Sequence, residues 1–124
     1  MFFQIDVAKD FSTHPAGRYK TDGSASGEAF RDNLLIPKLK EVIKYNTLNT
    51  NKEKLYVNFN GVMMAGGSWI EEAFGGAIRE SDIRPFDLFD LIEIIDRNDS
   101  VSIMEKVREY MDDEVRRQTE TNAK

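Results

Sequence analysis

The chain has 124 residues, 40% of them apolar and 31% charged, with a formal net charge of −5, a single histidine and no cysteine. That is enough ordinary material for one self-sufficient core, and it excludes disulfides, thiolate metal sites and broad charge-driven binding to nucleic acid. No apolar run approaches the ~20 residues that span a bilayer, and MFFQIDVAKD lacks the basic opening of a signal peptide, so a cytoplasmic location is expected.

FFQIDVA alternates, with Phe3, Ile5 and Val7 on one side and Gln4 and Asp6 on the other, which predicts a strand with one wet face. A Ser/Thr/Pro/Gly loop follows, and Arg18-Tyr19-Lys20 is expected to return beside the first strand as a short antiparallel edge. TDGSASGEAF then feeds a helix, with Ser26 as its cap and Glu28 in the first turn. Phe30, Leu34 and Leu35 give that helix an apolar side, and Leu39, Val42 and Ile43 continue it. Between the two groups Pro37 predicts a kink, or a second helix that starts there. Lys38, Lys40 and Lys44, with Glu41 among them, read as the wet face of that helix. NTLNTNKEK is a polar loop.

LYVNF, residues 55 to 59, is the best central strand, and Asn60-Gly61 turns the chain after it. Ile70, Ala73, Phe74, Ala77 and Ile78 share one face of the next helix. Gly75-Gly76 interrupts that helix, so either it stops early or something packs closely on bare backbone, the sheet being the expected neighbour. Residues 83–85 form a connection, and LIEII, residues 91 to 95, is a third parallel strand. A last helix begins near Asp99 to Ser102, with Met104, Val107, Tyr110 or Met111, and Val115 inward; residues 119–124 are expected to be a disordered tail. The order implies one α/β domain over 1–118, with a mixed, mostly parallel sheet of about four strands and helices packed on it.

Two stretches carry functional expectations. In GGSWIEEAFGG, Ser68-Trp69-Ile70-Glu71 fits a capping box, in which the Ser68 oxygen and the Glu71 carboxylate satisfy each other's backbone N–H groups. The same helix start suits a phosphate, so Ser68 is also a candidate phosphoacceptor. Gly66 and Gly67 leave room for a partner to approach. Trp69 is a core anchor or a docking residue, and Glu72 is expected to bond the nearby loop or Arg31. In GRYKTDGSASGEAFR, the set Arg18, Lys20, Ser24, Ser26 and Arg31 around three glycines is a candidate cradle for a nucleotide or another anion. It is not a Walker motif, because Glu28-Ala29 stands where Lys and Ser or Thr are required. His14 lacks a nucleophile partner, and adjacent acids such as Glu71 and Glu72 point apart on a helix. No catalytic residue, metal or cofactor is expected.

GRYKTDGSASGEAFRDNLLIPKL, LYVNFNGV and GSWIEEAFGGAIR, in that order, resemble the STAS-like family of small bacterial proteins of unknown function. That family is similar to the STAS domain of anti-sigma-factor antagonists. The resemblance implies a STAS-like fold and a non-enzymatic regulatory role. It places Ser68 where STAS domains carry a serine phosphorylated by an anti-sigma kinase. It implies a protein partner, such as a histidine-kinase-like ATPase, docking on Ser68, Gly66, Gly67, Trp69 and Glu72. The alternative is an anion-binding domain that uses the 17–31 loop.

Overall fold

The computed structural model describes residues 3–96 and 101–122. Three strands, β1 (Gln4–Asp6), β2 (Leu55–Asn58) and β3 (Ile92–Ile95), form one sheet in the order β1-β2-β3. Both pairings are parallel, with Gln4 opposite Tyr56 and Leu55 opposite Ile92. Alternation along the strands sends Ile5, Leu55, Val57 and Ile92 into the core, while Gln4, Tyr56 and Glu93 look the other way.

The sheet is smaller than expected, and among the described residues it has no antiparallel edge. Arg18-Tyr19-Lys20 forms no strand because its backbone is engaged elsewhere. The Asp22 carboxylate accepts from the N–H groups of Arg18 and Tyr19, at 3.1 and 2.9 Å. The Gly17 and Arg18 carbonyls accept from the N–H groups of Gly27 and Glu28, each at 3.0 Å. Gly17 makes the turn at φ +89°, a conformation that suits glycine.

Helix α1 covers 27–48 and α2 covers 67–80, and each contains one widened turn, Arg31–Leu35 in α1 and Glu71–Gly75 in α2. In each turn the hydrogen bond skips an extra residue, from the Ile36 N–H to the Arg31 carbonyl and from the Gly76 N–H to the Glu71 carbonyl. Pro37 explains the first. It offers no N–H and its ring crowds the carbonyl four residues back, so the helix widens just upstream and runs on without ending. The helix continues to Leu48, past the start of the expected loop, and the Asn49 side chain donates to the Tyr45 carbonyl at its end.

Helix α3 (Pro85–Leu91) begins at a proline and takes Leu91 from the expected third strand. Helix α4 (Val101–Asn122) runs through 119–122, where the sequence predicts a tail. Asp99 and Ser100, part of its expected start, lie outside the described residues. Val107 and Met111 are buried on its inner side, whereas Met104 is exposed and Ile103 packs on the core instead.

The two helices meet closely at Gly27. A Cβ there would lie 2.5 Å from the Trp69 carbonyl oxygen and 3.3 Å from the Ala73 nitrogen. Backbone cannot swing aside as a side-chain tip can. Gly27→Ala is therefore expected to destabilise the fold by ~1–3 kcal/mol, the usual cost of overpacking. Gly66→Ala meets nothing within 4 Å and should be close to neutral. Urea denaturation of the two variants checks the contrast.

Candidate functional site

Beyond β2 the chain turns at Asn60-Gly61, with the Asn58 side-chain oxygen accepting from the Asn60 N–H at 2.8 Å and Gly61 at φ +89°. The Met63 N–H donates to the Thr13 carbonyl at 2.8 Å, which ties this loop to the one after β1. Met63 and Met64 stand 71% and 75% exposed. Gly66 then occupies the cap position of α2 and the helix begins at Gly67.

This placement corrects the expected capping box. Ser68 lies one residue too far inside the helix to cap it, and the first helical bond runs from the Ile70 N–H to the Gly66 carbonyl. No side chain caps this end. The Glu71 carboxylate reaches sideways to Arg18 and Arg79 rather than back to Ser68. Ser68 itself is exposed, and among the described residues its hydroxyl makes no hydrogen bond. Gly67 is bare for a visible reason: a Cβ there would lie 2.9 Å from the Tyr110 hydroxyl of α4.

Trp69 and Glu72 are not on this surface. Trp69 is 2% exposed, its ring 5.0 Å from that of Phe30, and its Nε1 donates to the Ala25 carbonyl at 2.9 Å. Glu72 is 6% exposed and accepts from Arg31 Nη1 at 2.6 Å. The helix turns both side chains toward α1, so neither can meet a partner unless the core opens.

Glu72 sits within a partly buried charge network. Arg18 donates to Glu71 at 2.6 Å and to Glu72 at 3.2 Å. Arg79 donates to Glu71 at 2.5 Å and to Glu114 at 2.7 Å, which fastens α4 to α2. Arg31 also bonds Asp32 at 2.8 Å. Every buried side-chain nitrogen or oxygen among the described residues has a partner, as a stable charged interior requires. The glycine pair is explained here. A Cβ at Gly76 would lie 2.7 Å from Arg31 Nη1, and one at Gly75 would lie 2.6 Å from Glu71 Oε2. The bare backbone accommodates charged side-chain ends, not the sheet.

Burial alone would raise the pKa of Glu71, but the hydrogen bonds from Arg79 and Arg18 outweigh it and hold the pKa below its ordinary value. Asp32 is lowered in the same way, its burial outweighed by Arg31 and Lys20. The unfolded chain takes up these protons near pH ~4, whereas the folded protein keeps both carboxylates charged to lower pH. Their contribution is therefore fully present above the unfolded values and is lost as pH falls through the folded ones. Urea midpoints measured from pH 7 to pH 3 should fall at the acid end, and Glu71→Gln should flatten that fall.

The second candidate, the 17–31 loop, is already filled from within. The N–H groups at the start of α1 donate to the Gly17 carbonyl, the Arg18 carbonyl and the Ser26 hydroxyl oxygen, so none is left pointing at a ligand. Ser26 is buried as that cap. Arg18 and Arg31 are neutralised by Glu71, Glu72 and Asp32, and Lys20 by Asp32 at 3.1 Å. Of the five residues of this expected cradle, Ser24 alone is exposed and makes no side-chain bond among the described residues. The proposed anion cradle is instead a cap and an ion-pair scaffold.

Residues 26–102 match the family described as the STAS-like domain of unknown function, DUF4325. The chain belongs to this family. The STAS-like region takes in both α1 and α2, the strands β2 and β3, and Ser68; β1 and nearly all of α4 lie outside it. No curated protein and no solved structure matches the chain. Among the described residues, no helix is long and apolar enough to cross a membrane, and no group of three or more His, Asp or Glu is placed to hold a metal ion.

An open groove of this STAS-like domain, about 780 Å³, lies elsewhere, between the second half of α1 and α3. Lys52, Lys54 and Arg84 line it with Asp87 and Asp90. None of the sequence-selected residues borders it. Sequence reasoning passed over Met63 and Met64, although two methionines after an Asn-Gly turn, in phase with no helix or strand, were a readable signal.

Proposed function

We propose that this STAS-like domain is a non-catalytic docking module that presents the 60–66 loop and the first turn of α2 to a signalling protein. The observation that carries this reading is Ser68: an exposed hydroxyl, with no bond among the described residues, on the open first turn of the helix that follows the central strand. The local charge favours it as a phosphoacceptor. The sequence sets two carboxylates close to Ser68, but Glu71 is neutralised by Arg18 and Arg79, and Glu72 is turned inward. A phosphate there would meet the positive end of α2 rather than a bare acid. The partner is a protein kinase of the histidine-kinase-like ATPase class, which would use Ser68 as its substrate and the surrounding loop as its seat.

The test is transfer of labelled phosphate from ATP to the purified domain by such an ATPase from the same host. Label on the wild type that is absent from Ser68→Ala supports the reading. If Ser68→Ala is labelled equally, or Ser68→Asp binds the ATPase as tightly as Ser68→Ala does, the phosphorylation switch is wrong.

A further inference from the structure

We propose that Met63 and Met64 form an oxidation-sensitive apolar patch, a modification site that tunes the stickiness of the loop that leads to Ser68. Both side chains are more than two-thirds exposed, whereas Met111 is 2% exposed and Met104 is 38% exposed. The chain has no cysteine, so no thiol competes for an oxidant. Neither residue belongs to the hydrophobic core. The Met63 N–H ties this point to the fold through the Thr13 carbonyl, a backbone bond that side-chain oxidation does not touch.

The chemistry requires a hydroperoxide-class oxidant. The thioether sulfur supplies an electron pair to one peroxide oxygen, the O–O bond breaks, and that oxygen stays on sulfur as a sulfoxide. With hydrogen peroxide the other oxygen leaves as water. The sulfur is oxidised by two electrons and the peroxide reduced by two. An exposed apolar side chain becomes a polar one, and methionine sulfoxide reductases reverse the change. The effect on partner docking rests on the function proposed above. The sulfur chemistry and its effect on surface polarity do not.

The experiment treats the full chain with hydrogen peroxide, with a methionine-containing tripeptide present as an internal standard, and maps sulfoxides by peptide mass spectrometry. Met63 and Met64 should oxidise at close to the tripeptide's rate, and Met111 at least ~10-fold more slowly, since exposure governs susceptibility. Oxidation should shorten retention on a phenyl column without lowering the thermal midpoint. Met63→Gln/Met64→Gln should reproduce the shorter retention without peroxide. Met63→Leu/Met64→Leu should keep the long retention and lose the response. The proposal is overturned if Met111 oxidises as fast as the pair, or if the double leucine variant's retention shifts as far as the wild type's. A fall in thermal midpoint that accompanies modification of the pair also overturns it, because the patch would then be structural. A phosphotransfer assay that fails at Ser68 removes the docking role and leaves these results standing.

Discussion

Trp69→Ala is expected to destabilise the domain by ~3–5 kcal/mol, the range for removing a large buried aromatic. The indole sits among Phe11, Phe30 and Phe59, with ring centroids 5.0 to 6.3 Å away, and joins the loop before α1 to α2 through the Ala25 carbonyl. Alanine leaves a cavity bounded by two helices whose backbones already touch at Gly27, so little collapse can fill it. Trp69→Phe keeps most of the contact area and loses one hydrogen bond, while the Ala25 carbonyl still accepts from the Ala16 N–H at 3.0 Å, so ~0.5–1.5 kcal/mol is expected. Urea unfolding measures both. A loss below ~1 kcal/mol for alanine would mean that the site relaxes and that Trp69 is no anchor. If the alanine variant does not fold, the phenylalanine variant decides.

The second large effect concerns Glu72. Its carboxylate accepts from Arg31 at 2.6 Å and lies 3.2 Å from Arg18 and 3.5 Å from Arg79. Glu72→Ala leaves Arg31, 5% exposed, with Asp32 at 2.8 Å and Glu28 at 3.8 Å. Removing one partner of a buried pair costs ~3–5 kcal/mol, while replacing both with apolar groups of similar size is often neutral. Arg31→Met/Glu72→Leu should therefore be more stable than Glu72→Ala. A double variant as weak as the two single losses added together would show that Arg31 and Glu72 are not energetically coupled.

Much of the architecture was legible in the sequence. The alternation of LYVNF gave β2 its inward face and the 70, 73, 74, 77, 78 spacing gave α2 its buried side, but only Gln4–Asp6 of FFQIDVA is strand: the Asp6 side chain accepts from the Lys9 N–H and Val7–Phe11 coils into one helical turn. Short-range backbone capture was less visible. Arg18-Tyr19-Lys20 has the look of a strand, yet one carboxylate four residues on, at Asp22, takes two of its N–H groups. Ser68 fits a capping box by spacing alone, but Gly66 takes the cap position without a side chain. Helix α3 spans seven residues, too few for a clear period. The charge network joins residues 31 and 72, 18 and 71, and 79 and 114, distances in sequence that no local pattern can encode. Only the Glu72 to Arg31 bond was anticipated.

The sheet also sets how this chain must fold. Gln4 pairs with Tyr56 and Leu55 with Ile92, so the partners lie 56 − 4 = 52 and 92 − 55 = 37 residues apart. Among the described residues no hairpin exists to form early. Every strand contact waits for a long loop to close, and that entropy is lost before any pairing repays it. The intervening helices, which close locally, are the only cheap place to begin, so refolding rates should respond more to helix-strengthening changes in α1 and α2 than to changes within the strands.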